Sequence, residues 1–356
     1  MSKGTIAILG SEGYLGTKLC EVIAVDANIV TFDKVTGSSP FSLTHQQFEV
    51  GTDPIPRQEI KAEVLIVAAA VVPLARRLGN AAPSARLFCE GVLQLAKELE
   101  VKRILYVSSS AIFGKKSLSP VPPEAPPAPF EPYGKEKAQQ EMIMAELCQL
   151  DAIEFISVRP RTVVGDGRGG IFQLLGELFE KNLPVPVVGT GKNIYQFIHL
   201  QDLCQVIWKV AQTPNPPKFA NVGAHGATSM IEHLEEVKAR LGSKSKIVSV
   251  PRTAMVPVSV LAELGILPFA KYQLGMYGAD LWFTPCIDEN SPLFTTISSK
   301  DSLALSIEHS CRLKDNSPMI WNSKVFNHKN PLKWFGKRAF LWIWAVIARN
   351  LRTQER

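Results

Sequence analysis

A tyrosine and a lysine four residues apart, Tyr133 and Lys137, form the pair in this sequence best suited to proton transfer. On a helix, positions i and i+4 share one face, so the phenol and the ammonium can serve one site. An unperturbed tyrosine has a pKa of roughly 10, and a nearby positive charge lowers that pKa toward neutrality. The pair indicates a general acid/base, but an ordinary amphipathic helix carries the same spacing by chance, so the neighbouring motifs must decide.

A glycine-rich turn near the N-terminus is the first of those motifs. Thr5–Leu9 is typical of a buried strand, and Gly10, Gly13 and Gly16 follow it at intervals of three. A helical pattern comes directly after them. Glycines in this context let the backbone approach a pyrophosphate at a helix N-terminus. The pattern therefore predicts a dinucleotide site rather than a simple turn.

A carboxylate after the second predicted strand bears on which dinucleotide binds. Asn28–Phe32 is the strand, and Asp33 stands at its end. A carboxylate there accepts both hydroxyls of the adenosine ribose and repels a 2′-phosphate. This favours NAD over NADP, although the neighbouring Lys34 keeps NADP as an alternative. The other interpretation of Asp33 is an ordinary turn residue.

Two further strands are predicted to end in small or hydroxyl-bearing residues. Val64–Val67 ends in Ala68–Ala70, where small side chains leave room for a cofactor. Arg103–Val107 leads into Ser108–Gly114, with the sequence SSSAIFG. Hydroxyls at the carboxyl end of a parallel strand point into the ligand crevice of a doubly wound sheet. The proline-rich stretch Ser119–Pro132 is predicted to be a rigid loop over the site rather than an interdomain linker.

Composition limits the classes of protein that fit. The chain of 356 residues is 46% hydrophobic and 20% charged, which is typical of a folded globular protein. A net charge of +6 without a basic stripe argues against a nucleic-acid partner. The six cysteines form no CxxC pair, and we expect reduced thiols, no metal site and a cytoplasmic location. We expect no signal peptide and no spanning helix, since no apolar run approaches roughly 18 residues.

The order of motifs GSEGYLG, Asp33, SSSAIFG and PYGKEK resembles the extended short-chain dehydrogenase/reductase family, the NAD-dependent epimerases and dehydratases. The resemblance continues through VRPRTVVGDG (158–167), VVGTGKNIYQFIHLQDL (187–203) and FANVG (219–223). It implies an α/β fold with a Rossmann-type doubly wound parallel sheet and a smaller C-terminal substrate lobe. Residues 1–165 would form mainly the NAD-binding domain, and residues 166–320 mainly the lobe, interleaved with the end of the sheet.

The resemblance also implies the roles of individual residues. Tyr133 would be the acid/base for the hydroxyl proton, Lys137 would hold the nicotinamide ribose, and Ser110 would hydrogen-bond the substrate oxygen. His199 and Asp202 match the family too, but we interpret them as framework. The implied cofactor-binding set is Gly10, Gly13, Tyr14, Leu15, Gly16, Asp33, Ala69, Tyr133, Lys137 and Pro160.

One departure from the family bears on the substrate. Many nucleotide-sugar members have an arginine ahead of a Phe-hydrophobic-His segment, where it clamps the sugar diphosphate. This chain has Tyr195-Gln196-Phe197 there. Gln196 lacks the charge and the bidentate fork that suit a phosphate. Four other cations are candidates to compensate: Arg159, Arg161, Arg168 and Lys192.

The C-terminal segment, residues 330–356, is the most individual part of the chain. Its ten apolar residues Ala339–Ala348 are flanked by lysines and arginines. As a helix they would extend about 15 Å, half of what a bilayer core needs. Tryptophans beside cations suit a membrane surface, so we expect either peripheral contact with the cytoplasmic membrane face or burial of the helix in a homodimer interface or against the body of the protein.

Together the motifs predict an NAD-dependent oxidoreductase or epimerase that transfers hydride at a secondary alcohol or ketone carbon of a small molecule. Two substrate classes remain open, a nucleotide sugar and a lipophilic, steroid-like alcohol. Gln196 counts against the first, and the apolar segment Val256–Leu267 together with the tail fits the second. The alternative function is a non-catalytic dinucleotide-binding scaffold docked to a membrane or a complex. The intact catalytic trio argues against it, because a scaffold needs no proton-transfer pair.

Overall fold

A computed structural model describes residues 3–37, 39–70, 83–114, 119–166, 171–254, 277 and 279–316 of the chain. Two segments discussed above lie outside these residues. They are the tail, 330–356, with its predicted apolar helix, and Val256–Leu267 of the predicted substrate lobe. Arg168, one of the four candidate cations, also lies outside them.

The described residues alternate between strands and helices through most of the chain. The strands are β1 Thr5–Leu9, β2 Asn28–Asp33, β3 Thr44–Gln47, β4 Val64–Val67, β5 Arg103–Val107, β6 Glu154–Pro160, β7 Thr162–Val164, β8 Val185–Val188, β9 Ile194–Tyr195, β10 Phe197–His199, β11 Phe219–Val222, β12 Thr228–Ser229 and β13 Ile247–Val250. The helices are α1 Tyr14–Ile23, α2 Ala85–Glu98, α3 Pro132–Leu150, α4 Ile171–Glu180, α5 Leu200–Gln212, α6 Met230–Arg240 and α7 Ser299–Asn316, with short 3-10 turns at Ser110–Ile112 and Arg252–Ala254.

The large sheet has the strand order β11-β6-β5-β4-β1-β2-β3, and all its neighbouring strands run parallel. The chain moves outward from β1 to β3 and then crosses back to place β4 on the other side of β1. In sheets of this kind, ligands bind outside the carboxyl ends of the strands, at the point where the order reverses. The predicted Rossmann-type doubly wound α/β class is confirmed.

The sheet forms because its central strands are continuous apolar runs that can be buried on both faces. Every residue of β4 is buried. On one face, α1 and α5 pack through residues such as Leu19 and Ile207, while on the other α2 and α3 contribute Val92 and Met144. The carboxyl ends of the strands are thereby held in fixed register beneath the site.

A second, smaller core belongs to α4, α6 and α7 with the short strands β8 to β10, β12 and β13. Helix α6 begins with a capping box. The Ser229 hydroxyl accepts the Glu232 N–H, and the Glu232 carboxylate accepts the Ser229 N–H. The hydroxyls of Ser229 and Thr228 lower the pKa of Glu232 to about 2. Between β10 and β12 the chain returns to the large core through α5 and β11, so segments of the two cores alternate along the chain. None of the helices described above is long and apolar enough to span a bilayer.

Candidate active site

The glycine turn between β1 and α1 is too tight for side chains. Gly10 has a φ of +91°, and a Cβ there would lie 2.5 Å from the backbone nitrogen of Ala69, beyond β4. A Cβ on Gly16 would overlap the carbonyl oxygen of Gly10. Gly13 caps α1 with no side-chain hydrogen bond, and the first turn of α1 carries no acidic residue. The positive end of the helix dipole therefore faces the turn, an arrangement that suits the pyrophosphate of NAD.

Two carboxylates lie beside this turn, at the end where an adenosine ribose would bind. Asp33 Oδ2 accepts the Glu12 N–H at 2.9 Å, and its Oδ1 accepts the Val35 N–H at 3.2 Å. The Glu12 side chain lies over Gly37, because a Cβ on Gly37 would overlap the Glu12 carboxyl group. Each oxygen of Asp33 keeps a lone pair for a ribose hydroxyl, and the second carboxylate adds to the repulsion of a 2′-phosphate. Sequence reasoning missed Glu12, although its place inside GSEGYLG was the available signal.

The serine turn, Ser108–Ser110, follows β5 at the same edge of the sheet. The Ser108 N–H donates to the carbonyl of Val158 on β6 at 2.8 Å, which fixes the start of the turn. Ser109 Oγ accepts the Ala111 N–H at 3.1 Å and thereby caps the 3-10 turn. Ser109 is half-buried, whereas Ser110 is only 6% exposed. Two neighbouring hydroxyls of different accessibility therefore stand at the carboxyl end of β5.

Helix α3 brings Tyr133 to the serine turn. The helix starts at Pro132, the position where a proline costs no hydrogen bond, and Tyr133 is half-buried in its first turn. A Cβ on Gly134 would overlap the carbonyl oxygen of Ala111. Glycine at 134 thus lets the first turn of α3 lie directly on the residue after the serine turn. Tyr133 and the serines, more than twenty residues apart in the chain, become neighbours by this contact.

Lys137 lies one turn further along α3, under the end of β5. Its side chain is 3% exposed, and Nζ donates to the Val107 carbonyl at 2.9 Å and lies 4.5 Å from the ring centre of Tyr106. Burial lowers the pKa of Lys137 to about 8, partly offset by the charges of Glu136 and Glu141. The ammonium is therefore held at one point by a carbonyl and an aromatic face, with N–H groups left to donate.

The remaining predicted cofactor residues lie along the same edge of the large sheet. Ala69 contacts the glycine turn as described, and the hydroxyl of Tyr14 on α1 lies 3.0 Å from where a Cβ on Gly165 would be. Pro160 ends β6 and pairs with Val222 of β11. The structure thus places the glycine turn at the carboxyl end of β1, and the serine turn, the start of α3 and Lys137 near the carboxyl end of β5. The described residues fit NAD, because the turn excludes side chains where the pyrophosphate would bind and Asp33 presents free lone pairs.

Three of the four candidate cations, Arg159, Arg161 and Lys192, lie within the described residues. Arg159 is 3% exposed and forms a buried ion pair with Glu141, whose Oε2 is 2.8 Å from Nη2. Its Nη1 donates to the Pro123 carbonyl at 2.8 Å. Arg159 therefore has a structural role, because it joins α3, β6 and the Pro123 segment. Lys192, by contrast, is exposed at the lobe surface.

Gln196 has a structural role in place of a phosphate clamp. It is fully buried, and its Nε2 donates to the carbonyls of Ala224 at 2.8 Å and Phe283 at 3.1 Å. Its Oε1 accepts the Phe283 N–H at 2.9 Å. The hydrogen bonds of the Gln196 amide therefore go to backbone groups of Ala224, which follows β11, and of Phe283. They hold the 281–283 segment close to the end of β11.

His199 and Asp202 also make framework contacts. His199 Nδ1 caps α5 by accepting the Gln201 N–H at 3.3 Å. Asp202 accepts the Thr296 hydroxyl and the Ile297 N–H, both at 2.7 Å. Among the residues that the structure describes, no three histidine, cysteine or acidic side chains are grouped as metal ligands would be.

The fold and the glycine turn define a dinucleotide-binding protein of the Rossmann class. The sequence profile of the NAD dependent epimerase/dehydratase family matches residues 6–223, more than half of the chain, and the chain belongs to this family. Membership confirms the predicted family, the oxidoreductase-type enzyme class and NAD as the cofactor.

Individual relatives share the sequence and the fold to different extents. The chain is 36% identical over 185 residues to the uncharacterized protein y4nG of Sinorhizobium fredii, a match that covers 51% of this chain and 46% of y4nG. It is 22% identical over 299 residues to a UDP-glucose 4-epimerase of Lacticaseibacillus casei, covering 73% and 88% of the two chains. A UDP-N-acetylglucosamine 4-epimerase of Methanobrevibacter ruminantium, solved with UDP-N-acetylmuramic acid, superposes with a TM-score of 0.67 over 88% of this chain and all of that one, at 13% identity.

Proposed function

We propose that the protein is an NAD-dependent epimerase that inverts a secondary carbinol, the 4-position of the sugar in a nucleotide sugar. The observation that carries the proposal is the contact of Gly134 with Ala111, which places Tyr133 beside the serine turn at the sheet edge that also holds the glycine turn. Family membership and the similarity to relatives such as the UDP-glucose 4-epimerase of Lacticaseibacillus casei support a nucleotide-sugar substrate.

In this mechanism the protein moves one proton and fixes the geometry. Tyr133 takes the hydroxyl proton of the substrate as the carbon is oxidised and returns it to the same oxygen on reduction. The buried charge of Lys137 stabilises the phenolate of Tyr133, and a serine hydroxyl donates to the substrate oxygen. Bound NAD supplies the hydride acceptor and donor. Epimerisation leaves the overall redox state unchanged, so no second oxidant is needed.

A direct assay tests the function. The protein with NAD is incubated separately with UDP-glucose, UDP-N-acetylglucosamine and UDP-glucuronate, and proton NMR measures formation of the 4-epimer. We expect one of these sugars to be converted to an equilibrium mixture. A ligand at about 100 times its dissociation constant adds roughly 2.7 kcal/mol to the free energy of unfolding, so melting with NAD and then with each sugar reports binding independently. Stabilisation by NAD with neither binding nor conversion of any nucleotide sugar would contradict the proposal.

The two serine hydroxyls differ in how well they can reach the substrate oxygen. Family resemblance points to Ser110, but that hydroxyl is buried and accepts a hydrogen bond from Arg161 Nη1 at 3.1 Å. Each hydroxyl accepts its hydrogen bond and so keeps an O–H to donate, but Ser109 is the more exposed of the two. We therefore favour Ser109 as the donor and Ser110 as its support.

Single alanine substitutions separate these assignments. We expect Ser109→Ala to lower kcat by about 10²-fold, the usual cost of losing one donor to a charged oxygen in a transition state, and Ser110→Ala to lower it by less. The measurement is kcat for the best sugar substrate, with melting temperature as the control for folding. The reverse order of effects would return the role to Ser110.

The lipophilic-alcohol alternative rested on Val256–Leu267 and the tail, which lie outside the described residues. It stays a prediction from the sequence, as do the membrane-surface contact and the homodimer.

A further inference from the structure

Arg161, between β6 and β7, is a buried cation, and one nitrogen of its guanidinium has no hydrogen-bond partner among the described residues. Its side chain is 3% exposed, and Nε donates to the Leu281 carbonyl at 2.8 Å. Nη1 donates to Ser110 Oγ at 3.1 Å and Thr162 Oγ1 at 3.3 Å. One face of the guanidinium lies on the Tyr195 ring, 4.6 Å from its centre. Nη2 is buried and has no hydrogen-bond partner, and no ion pair to Arg161 occurs within the described residues.

The contrast with Arg159, two residues earlier, shows what Arg161 lacks. Arg159 is equally buried, but a carboxylate neutralises it through Nε and Nη2. Among the described residues, Arg161 has neutral acceptors for Nε and Nη1 and neither an anion nor an acceptor for Nη2. A buried guanidinium in this condition is unfavourable unless a charged partner arrives, because its desolvation is not repaid.

The position of Arg161 indicates which part of a substrate would supply that anion. Its Nη1 bonds Ser110 of the serine turn, and Ala111 of the same segment contacts the first turn of α3, where Tyr133 lies. Arg161 is therefore at the reacting end of the site. The glycine turn lies at β1, three strands from β6, or about 14 Å at the usual strand spacing, so Arg161 does not serve the pyrophosphate of NAD.

The sugar of a nucleotide sugar carries its diphosphate at C1, across the ring from the reacting C4. An arginine beside the hydroxyl at C4 would be near the substituents of C3 and C5 and far from the diphosphate, and of these two the C5 substituent is the one that can carry an anion. In a uronate that substituent is a carboxylate, the planar anion that a guanidinium binds best.

We infer that Arg161 binds a carboxylate on the carbon next to the reacting carbinol, and that the substrate is a nucleoside-diphosphate uronate. The inference rests on the proposed function and goes further by naming the substrate class and a specificity-determining residue.

The surroundings of Arg161 hold its guanidinium ready for such a ligand. The Tyr195 ring supports one face, and the hydroxyl of Tyr195 lies 2.9 Å from Thr162 Oγ1. Gln196 fixes the 281–283 segment, whose Leu281 carbonyl accepts from Nε. Because the side chain is ordered before the substrate arrives, little conformational entropy is lost on binding.

The test compares UDP-glucuronate with UDP-glucose, two substrates that differ only in the carboxylate at C5. We expect the NAD-loaded wild-type enzyme to prefer the uronate in kcat/KM. Arg161→Gln should raise KM for the uronate by about 10- to 100-fold, as expected for losing a hydrogen bond to a charged group, and change KM for UDP-glucose little. Arg161→Lys should recover part of the preference. Lys209→Gln, which removes an exposed charge on α5, is the matched control and should leave the preference unchanged.

Several outcomes would overturn the inference. Equal use of both sugars by the wild type, or preference for UDP-glucose, contradicts it while leaving the proposed function intact. An equal loss for both sugars in Arg161→Gln would show that the residue binds the diphosphate or acts only as a strut. If the wild type neither binds nor converts either sugar while NAD still raises its melting temperature, the proposed function fails and the inference fails with it. The ratio of kcat/KM for UDP-glucuronate and UDP-glucose is measured on the wild-type protein. This comparison can therefore contradict the inference even if Arg161→Gln does not fold.

Discussion

Tyr133→Phe is expected to lower kcat by about 10²- to 10⁴-fold, because it removes only the hydroxyl that accepts and returns the substrate proton. The ring keeps its place in the first turn of α3, so the affinities for NAD and the nucleotide sugar should change little. The effect should therefore appear in kcat rather than in KM. Steady-state kinetics with the converted sugar, together with melting in the presence of NAD, measure the two quantities separately.

A second tyrosine provides the control for this substitution. The Tyr277 hydroxyl donates to the Pro186 carbonyl at 3.1 Å within the small core. Tyr277→Phe makes the same chemical change and should lower stability by about 1 kcal/mol while leaving kcat intact. If Tyr133→Phe kept the wild-type kcat, or if both variants lost activity alike, Tyr133 would not be the acid/base.

Glu141→Leu is expected to lower the free energy of unfolding by about 3–5 kcal/mol. The substitution leaves the guanidinium of Arg159 buried with its charge unpaired, and it also removes the acceptor for the Ser157 hydroxyl. Urea denaturation measures the change, with an unchanged m value showing that the unfolding transition is the same.

An exposed pair of similar geometry provides the comparison. Arg86 Nε lies 2.9 Å from Glu90 Oε1, but both side chains are solvent-exposed, so Glu90→Leu should alter stability by less than about 1 kcal/mol. The double variant Glu141→Leu with Arg159→Met should be less destabilised than the sum of its single variants, because neither charge remains alone. Equal costs for Glu141→Leu and Glu90→Leu would show that the buried pair is not a strut.

Local patterns in the sequence were sufficient for the fold class and for the position of the tight glycine turn. Buried runs such as Val64–Val67, separated by helical stretches, predict a parallel sheet covered on both faces, and that class is confirmed. The glycine spacing identifies the turn because its cause is local, a backbone that must pass close to itself at Gly10 and Gly16. The roles of Ser110, Tyr133 and Lys137 remain predictions until the variants are measured.

The features that escaped sequence reasoning depend on contacts between distant segments. Arg159 and Glu141 are 18 residues apart, and nothing in the local pattern pairs them. The sequence shows that Gln196 lacks the charge of a phosphate clamp, but its own role depends on Ala224 and Phe283, which come from later in the chain. The sequence alone does not distinguish Arg161 from Arg159. The fold does, because it pairs Arg159 with the Glu141 carboxylate.

The Asp33 carboxylate limits how the cofactor preference of this enzyme can be changed in evolution or in the laboratory. One of its oxygens holds the Glu12 N–H and so ties the glycine turn to β2. A change of preference from NAD to NADP requires removal of the Asp33 charge. If Asp33 is replaced by a residue without an acceptor oxygen, the hydrogen bond from the Glu12 N–H is lost and the glycine turn is less firmly held. Asp33→Asn can keep the bond to the Glu12 N–H through its amide oxygen and removes the charge that repels a 2′-phosphate, although its NH2 group cannot accept the Val35 N–H. The Glu12 carboxylate over Gly37 would still repel that phosphate, so the conversion requires two substitutions.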